Sequence, residues 1–203
     1  MGALHEGHLS LIRQTKEVCE QVAISIFVNP TQFGPNEDFA RYPRNEARDL
    51  ELAEAAGATL AFCPSVEEMY PSRNTMIHVA GPSSGFEGAI RPGHFSGVAT
   101  VVAQLFNIIA PDVATFGLKD LQQCAVIRTL VSDLHFPIEL KFCEVLREES
   151  GLAMSSRNVY LNEKERALAP KLYTSLTEIA CELRDSPSSQ AQILQRAEIV
   201  CPA

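Results

Sequence analysis

The run Val22-Ala-Ile-Ser-Ile-Phe-Val28 constrains the fold more than any other stretch of the chain. It is dominated by β-branched and aromatic residues and lacks the polar alternation of a half-exposed strand. That pattern marks a strand buried on both faces, the kind found in parallel sheets covered by helices. The run stops abruptly in Asn29-Pro-Thr-Gln-Phe-Gly-Pro-Asn36. Polar groups just beyond the carboxyl end of a parallel strand lie where open α/β sheets bind ligands. Asn29 and Gln32 are therefore candidates for substrate recognition. The alternative, that they merely form the turn, suits Asn29 beside Pro30 better than Gln32.

Downstream, helices and strands alternate. Residues 45–56 carry Ala47, Leu50, Leu52, Ala55 and Ala56 as apolar positions of a helix, with Gly57 as its stop. A short strand is expected over 59–62, closed by Pro64, and Ser65 caps the turn at 66–69. A further strand is expected over 76–79, followed by a Gly-rich loop. Arg91-Pro-Gly-His-Phe-Ser-Gly97 leads into an apolar run from Val98 to Ala110, long enough for a helix and ended by Pro111. A helix apolar nearly all round lies in a core or a subunit interface. Arg91 and His94, at its entrance, are either ligand groups or loop anchors. Strands at 112–116 and 138–143 flank a helix reaching Leu134. A helix from Asn162 to about Arg184 is followed by a break at Pro187-Ser-Ser and a last helix near Gln190. The order predicts an α/β fold, a doubly wound parallel sheet with a small helical tail.

Chemistry concentrates where helices open. Met1-Gly-Ala-Leu-His-Glu-Gly-His8 places two histidines around a glycine just where a loop enters an amphipathic helix. A helix N-terminus presents unpaired N–H groups and a partial positive charge, which suit phosphate. Gly7 allows close approach of the backbone, and two imidazoles could stabilise charge developing on phosphate. The metalloprotease pattern spaces its histidines by four. Here the interval is three and no third ligand is evident, so no metal site is expected. At the strand-to-helix turn Gly117-Leu-Lys-Asp120, Lys119 could meet phosphate and Asp120 ribose hydroxyls. An exposed Lys–Asp pair is the ordinary alternative. Gln123, one turn on, is expected to face the same way as Asp120. In the polar loop over 146–158, Ser155, Ser156 and Arg157 suit phosphate contact, although such triplets also occur in idle loops.

Charge sharpens this. With 25 carboxylates against 17 Lys and Arg, the net charge of −8 argues against general nucleic-acid binding. An anionic substrate then needs locally gathered positive groups. Six cysteines, at 19, 63, 124, 143, 181 and 201, form no Cys-x-x-Cys pair and read as reduced thiols of a cytoplasmic protein. No apolar run is long enough to span a bilayer, no signal peptide is recognised, and Glu6 breaks the myristoylation pattern.

Five blocks together resemble the pantothenate synthetase (pantoate–β-alanine ligase) family: His5-Glu-Gly-His8, Phe27-Val-Asn-Pro-Thr-Gln-Phe-Gly34, Arg91-Pro-Gly-His-Phe-Ser-Gly97, Phe116-Gly-Leu-Lys-Asp120 and Met154-Ser-Ser-Arg157. The resemblance implies a Rossmann-like fold of nucleotidyltransferase type. It implies a ligase that joins pantoate to β-alanine through pantoyl adenylate, releasing pyrophosphate and AMP, with Mg²⁺ accompanying ATP. By resemblance, Met1, Gly2, Ala3, Leu4, His5, Glu6, Gly7 and His8 line the ATP site. His8 would be the proton donor, His5 its partner on the phosphates, and Lys119 a third catalytic group. Gly117, Leu118, Lys119 and Asp120 would hold the nucleotide, and Met154, Ser155, Ser156 and Arg157 would form a mobile loop over it. Gln32 would touch both pantoate and β-alanine, and Gln123 pantoate. A homodimer is implied, without nucleic-acid or membrane partners.

Two departures from the family follow. Leu146 stands where the family usually carries Val, contacting adenine through its backbone. The family also places a strand before the Met1 block and a larger domain at the C-terminus, so the chain reads as truncated at both ends. Residues 1–145 are then expected to form the ATP- and pantoate-binding domain, with an apolar sheet edge exposed, and residues 146–203 a partial C-terminal lid domain. A fragment that binds nucleotide without turnover, and a related nucleotidyltransferase with another acceptor, are the alternatives.

Overall fold

The computed structural model describes residues 2–185. The chain divides after Val145 into two compact units. In the first, α1 (Glu6–Lys16), β1 (Ala23–Ser25), α2 (Glu46–Ala55) and β2 (Leu60–Phe62) are followed by α3 (Val66–Met69), α4 (Phe86–Ile90) and α5 (His94–Ile109). Strand β3 (Val113–Gly117), α6 (Leu121–Asp133) and β4 (Glu139–Cys143) complete it. The second unit holds α7 (Glu163–Leu168) and α8 (Pro170–Asp185). Pro170 supplies no N–H and starts α8, so the helix expected from Asn162 onward is broken there. The helix expected near Gln190 lies outside the described residues.

The class is α/β with parallel strands, but the strands do not form one ladder. β1 pairs with β2 and β3 with β4, giving two separate two-stranded parallel sheets. Helix α1 links them. Leu9 and Ile12 pack with Val22, Ala53 and Ala56 beside the first pair. Its C-terminal turn meets the second pair, where Thr15 Oγ1 lies 2.8 Å from Thr115 Oγ1 and Lys141 Nζ donates to the Gln14 carbonyl at 3.1 Å. With one neighbour rather than two, β1 is shorter than the expected 22–28 strand. Its Ala23 is exposed and Ile24 half-buried, although Ile26 N–H still bonds the Phe62 carbonyl at 3.0 Å.

The larger core is built on α5, whose Val98, Ala99, Val102 and Phe106 pack against Val126, Ile127 and Leu130 of α6. The helix begins at His94, four residues before the apolar run, behind Gly93 in the left-handed conformation (φ 85°). Segment 76–79, expected as a strand, pairs with none. Ile77 N–H bonds Thr100 Oγ1 at 2.9 Å, so α5 satisfies its backbone instead of a sheet. The Gly-rich loop after it contains α4. It is held by Gln122, whose Nε2 donates to the carbonyls of Pro82 and Gly85, both at 3.1 Å.

Candidate functional site

The histidine loop is set by residues distant in sequence. Gly2 (φ 106°) and Ala3 (φ 51°) both lie in the left-handed region. The turn is held by Asp49 of α2, which is 2% exposed. Its Oδ2 accepts Ala3 N–H and its Oδ1 accepts Leu4 N–H, each at 2.7 Å. A Cβ at Gly2 would come within 3.3 Å of Asp49 Oδ2, so the glycine is needed for space as well as for its φ.

That anchored loop delivers His5 as the N-cap of α1. Gly7 N–H donates to His5 Nδ1 at 3.1 Å, and His5 N–H donates to His8 Nδ1 at 3.3 Å. A ring nitrogen that accepts carries no proton in the neutral imidazole, so the other one does. Both rings are therefore Nε2–H donors, tilted 38° to one another with centroids 3.9 Å apart. Burial, then neighbouring His5, lowers the His8 pKa to about 3. Burial, then Lys119, lowers that of His5. The positive charge of Lys119 acts in the same direction on both rings. The result is two neutral hydrogen-bond donors at a helix N-terminus, an arrangement matched to phosphate oxygens. Glu6 points elsewhere, exposed and ion-paired with Arg13.

At the 117–120 turn, Gly117 ends β3 and the 3-10 turn Leu118–Asp120 follows. Lys119 Nζ bonds Asp120 Oδ1 at 3.0 Å, both side chains being about half exposed. Asp120 ends this turn and is the N-cap of α6 (φ −101°, ψ 62°), without a side-chain cap hydrogen bond. Gln123 is half-buried in the first turn of α6.

The second station is the 3-10 turn Pro30–Gln32. Asn29, 1% exposed, is its N-cap and is engaged at both ends of its amide. Oδ1 accepts Tyr70 O–H at 2.7 Å and Thr31 Oγ1–H at 2.8 Å, while Nδ2 donates to Gln32 Oε1 and to the Gly97 carbonyl, both at 3.1 Å. Asn29, expected to contact substrate, is thus a buried buttress that turns the Gln32 amide. Helix α5 presses directly on this turn, since a Cβ on Gly97 would lie 2.4 Å from the Thr31 carbonyl oxygen. Arg91 forks onto Glu37, with Nε to Oε1 at 2.8 Å and Nη2 to Oε2 at 2.7 Å, and His94 Nδ1 lies 2.8 Å from the Gln32 carbonyl oxygen. Of the two readings open for Arg91 and His94, the structure bears out the loop anchors.

Asp49, Glu37 and Tyr70 were not singled out by sequence. Only Asp49 leaves a signal, as a carboxylate on the stripe that includes Ala53 and Ala56, the buried face of α2.

In the second unit, Arg147 and Ala153 form an antiparallel bridge around Gly151 (φ 91°), and Met154 N–H bonds the Leu146 carbonyl at 3.0 Å. Ser155 Oγ accepts Arg157 N–H at 3.2 Å as cap of the 3-10 turn Ser156–Tyr160. Ser156 is half-buried and Arg157 exposed. Met1 lies outside the described residues. Among the described residues, no three His, Cys, Asp or Glu side chains gather as a metal set, and no helix is long and apolar enough to cross a membrane.

A family model described as pantoate-beta-alanine ligase matches residues 1–200. The chain belongs to this family. Pantothenate synthetases from Chloroflexus aurantiacus (58% identical over 177 residues, 87% of this chain) and Thermoanaerobacter sp. (60% over 179 residues, 88%) are among its relatives. The chain spans 63% of the length of each. The pantothenate synthetase of Thermus thermophilus superposes with a TM-score of 0.94 at 49% identity, over 98% of this chain and 73% of that one. A Francisella tularensis pantoate-beta-alanine ligase complexed with beta-gamma ATP and beta-alanine gives 0.85 at 36% identity, over 98% of this chain and 75% of that one.

Proposed function

We propose that this protein condenses pantoate with β-alanine at the expense of ATP, through pantoyl adenylate. A pantoate carboxylate oxygen attacks the α-phosphorus and the bond to pyrophosphate breaks. The β-alanine ammonium loses a proton to solvent, its free amine attacks the acyl carbon, AMP leaves with the electrons of the C–O bond, and the nitrogen gives up a second proton to solvent. The observation that carries this reading is the pair of imidazoles at the start of α1 whose Nδ1 atoms both accept backbone N–H groups, leaving each Nε2 as a donor. In adenylation, charge builds on the α-phosphate and on departing pyrophosphate, and fixed donors that need not reorganise stabilise it best. His8, neutral near pH 7, acts here as a hydrogen-bond donor. The resemblance's proton-donor role would need an anionic phosphate to raise its pKa first.

Gln32, whose side-chain oxygen accepts from Asn29, meets the acid substrate in this reading. Gln123 is a second pantoate group by resemblance. Asp120 and Leu146 serve the nucleoside, and Met154, Ser155, Ser156 and Arg157 its phosphates. Mg²⁺ enters as MgATP, held chiefly by the phosphates themselves. A homodimer in the cytoplasm completes the reading. The test is pyrophosphate release from MgATP with pantoate, with and without β-alanine. Pantoate-dependent release that becomes catalytic on adding β-alanine supports the proposal. Nucleotide binding with no release overturns it.

A further inference from the structure

The Arg91-Pro-Gly-His94 block stands outside the proposed chemistry, yet its geometry leads to Gln32. We infer that Glu37, Arg91 and His94 form a positioning relay that fixes the main chain of Gln32, and with it the site for the acid substrate. The inference rests on the reading of Gln32 as a substrate group.

Each link has one allowed polarity. Arg91 can only donate, so its Nη1, 3.2 Å from His94 Nε2, makes that nitrogen the acceptor. The proton of the neutral ring must then sit on Nδ1, where it donates to the Gln32 carbonyl at 2.8 Å. Burial, the leading cause, holds the His94 pKa down, and Arg91 adds to it. Arg91 is itself held by the two-point pair with Glu37 at 2.7 and 2.8 Å and by Glu87 Oε2 at 3.1 Å. A guanidinium forked on a carboxylate keeps its plane, which a single contact would not ensure. His94 is 8% exposed, so water is poorly placed to replace the ring.

The consequence is a division of labour around one residue. Asn29 sets the rotation of the Gln32 amide from inside the turn, and His94 sets its backbone from the start of α5. Gly97 makes this possible by bringing that helix against the Thr31 and Gln32 backbone. Without the relay, the turn would keep its cap at Asn29 but lose the restraint at its other end.

The experiment combines steady-state kinetics with imidazole nitrogen shifts in the ¹⁵N-histidine protein. The relay requires His94 to be Nδ1–H in the parent protein. His94→Phe should raise the KM for pantoate about tenfold, the scale of one lost buried hydrogen bond. The KM for ATP should stay within about twofold, because the histidine loop of α1 does not depend on these residues. His94→Asn, which restores a donor near the Nδ1 position, should recover most of the loss. Glu37→Gln should fold and shift the His94 tautomer balance toward Nε2–H. An Nε2–H ring in the parent protein overturns the relay, as do equal rises in both KM values or no rescue by Asn. If the parent protein shows no pantoate-dependent turnover, the functional reading fails. The nitrogen shifts of the parent and of Glu37→Gln still decide the relay.

Discussion

Replacing Asp49 by Asn separates what holds the histidine loop from what it does. The carboxylate lies 2% exposed and accepts two backbone N–H groups at 2.7 Å from residues more than forty positions away. Hydrogen bonds to a charged group are worth about 1.5–3 kcal/mol each, and a buried donor left unpaired costs about 1–3 kcal/mol. Asn is nearly isosteric and keeps one acceptor, but its amide nitrogen must confront either Ala3 N–H or Leu4 N–H. One bond is lost and one donor is orphaned, so the cost should be at least about 2.5 kcal/mol, the sum of the two lower figures. Ala3, at φ 51°, is in a conformation that costs a non-glycine residue roughly 1–2 kcal/mol, and nothing compels it once a contact is gone. The loop should therefore relax and carry the His5 cap with it. Urea unfolding should show a lower midpoint at unchanged slope, with faster amide exchange at Ala3 and Leu4 and a fall in pantoate-dependent pyrophosphate release. A variant within about 0.5 kcal/mol of the parent, still protected at those two amides, would refute the anchoring role.

Three further outcomes follow from the same geometry. His8→Ala should lower adenylate formation by about 10²–10³-fold, the scale for loss of a preorganised donor, while costing only about 0.5–2 kcal/mol of stability through the lost cap; an equally active variant would remove His8 from the chemistry. Stability should fall as pH drops from about 6.5 toward 5, because the folded pKa values of His5 and His8 lie below the unfolded value and the unfolded chain binds more protons there. The share from half-buried His8 is at most about 2 kcal/mol over that interval, and urea midpoints should fall more steeply with acid in the parent than in His8→Gln, which lacks the titrating ring. Gly97→Ala places a methyl 2.4 Å from the Thr31 carbonyl oxygen and 2.7 Å from Gln32 N, both backbone atoms. Overpacking there should cost about 1–3 kcal/mol, and it should raise the KM for pantoate more than that for ATP.

What could be read from the sequence was what is decided locally. The stop at Gly57, the caps at Ser65 and Asn162 and the opening of α1 beside His5 depend on a few neighbouring residues, and each is where the pattern placed it. What escaped is decided by partners far along the chain. β1 is short because it has one neighbouring strand, and residues 76–79 are no strand because Thr100 takes up the Ile77 N–H. Arg91 and His94 were visible as ligand groups or loop anchors, but what they anchor was not, because their partners Glu37 and Gln32 lie more than fifty positions away.

The protonation pattern is the least legible feature of all, and it is what gives the histidines their chemistry. Two histidines three apart at a helix start could equally be exposed and half-protonated near neutral pH. Here the helix uses their Nδ1 atoms as its own caps, so each Nε2 is left as the donor. A single structural device thus caps the Gly7 N–H, engages the His5 N–H and selects the tautomer of both rings. Mutation of the cap and mutation of the donor are then the same event, because one imidazole serves both. Only a change that spares the ring, such as Asp49→Asn, can show how much of the activity depends on its placement.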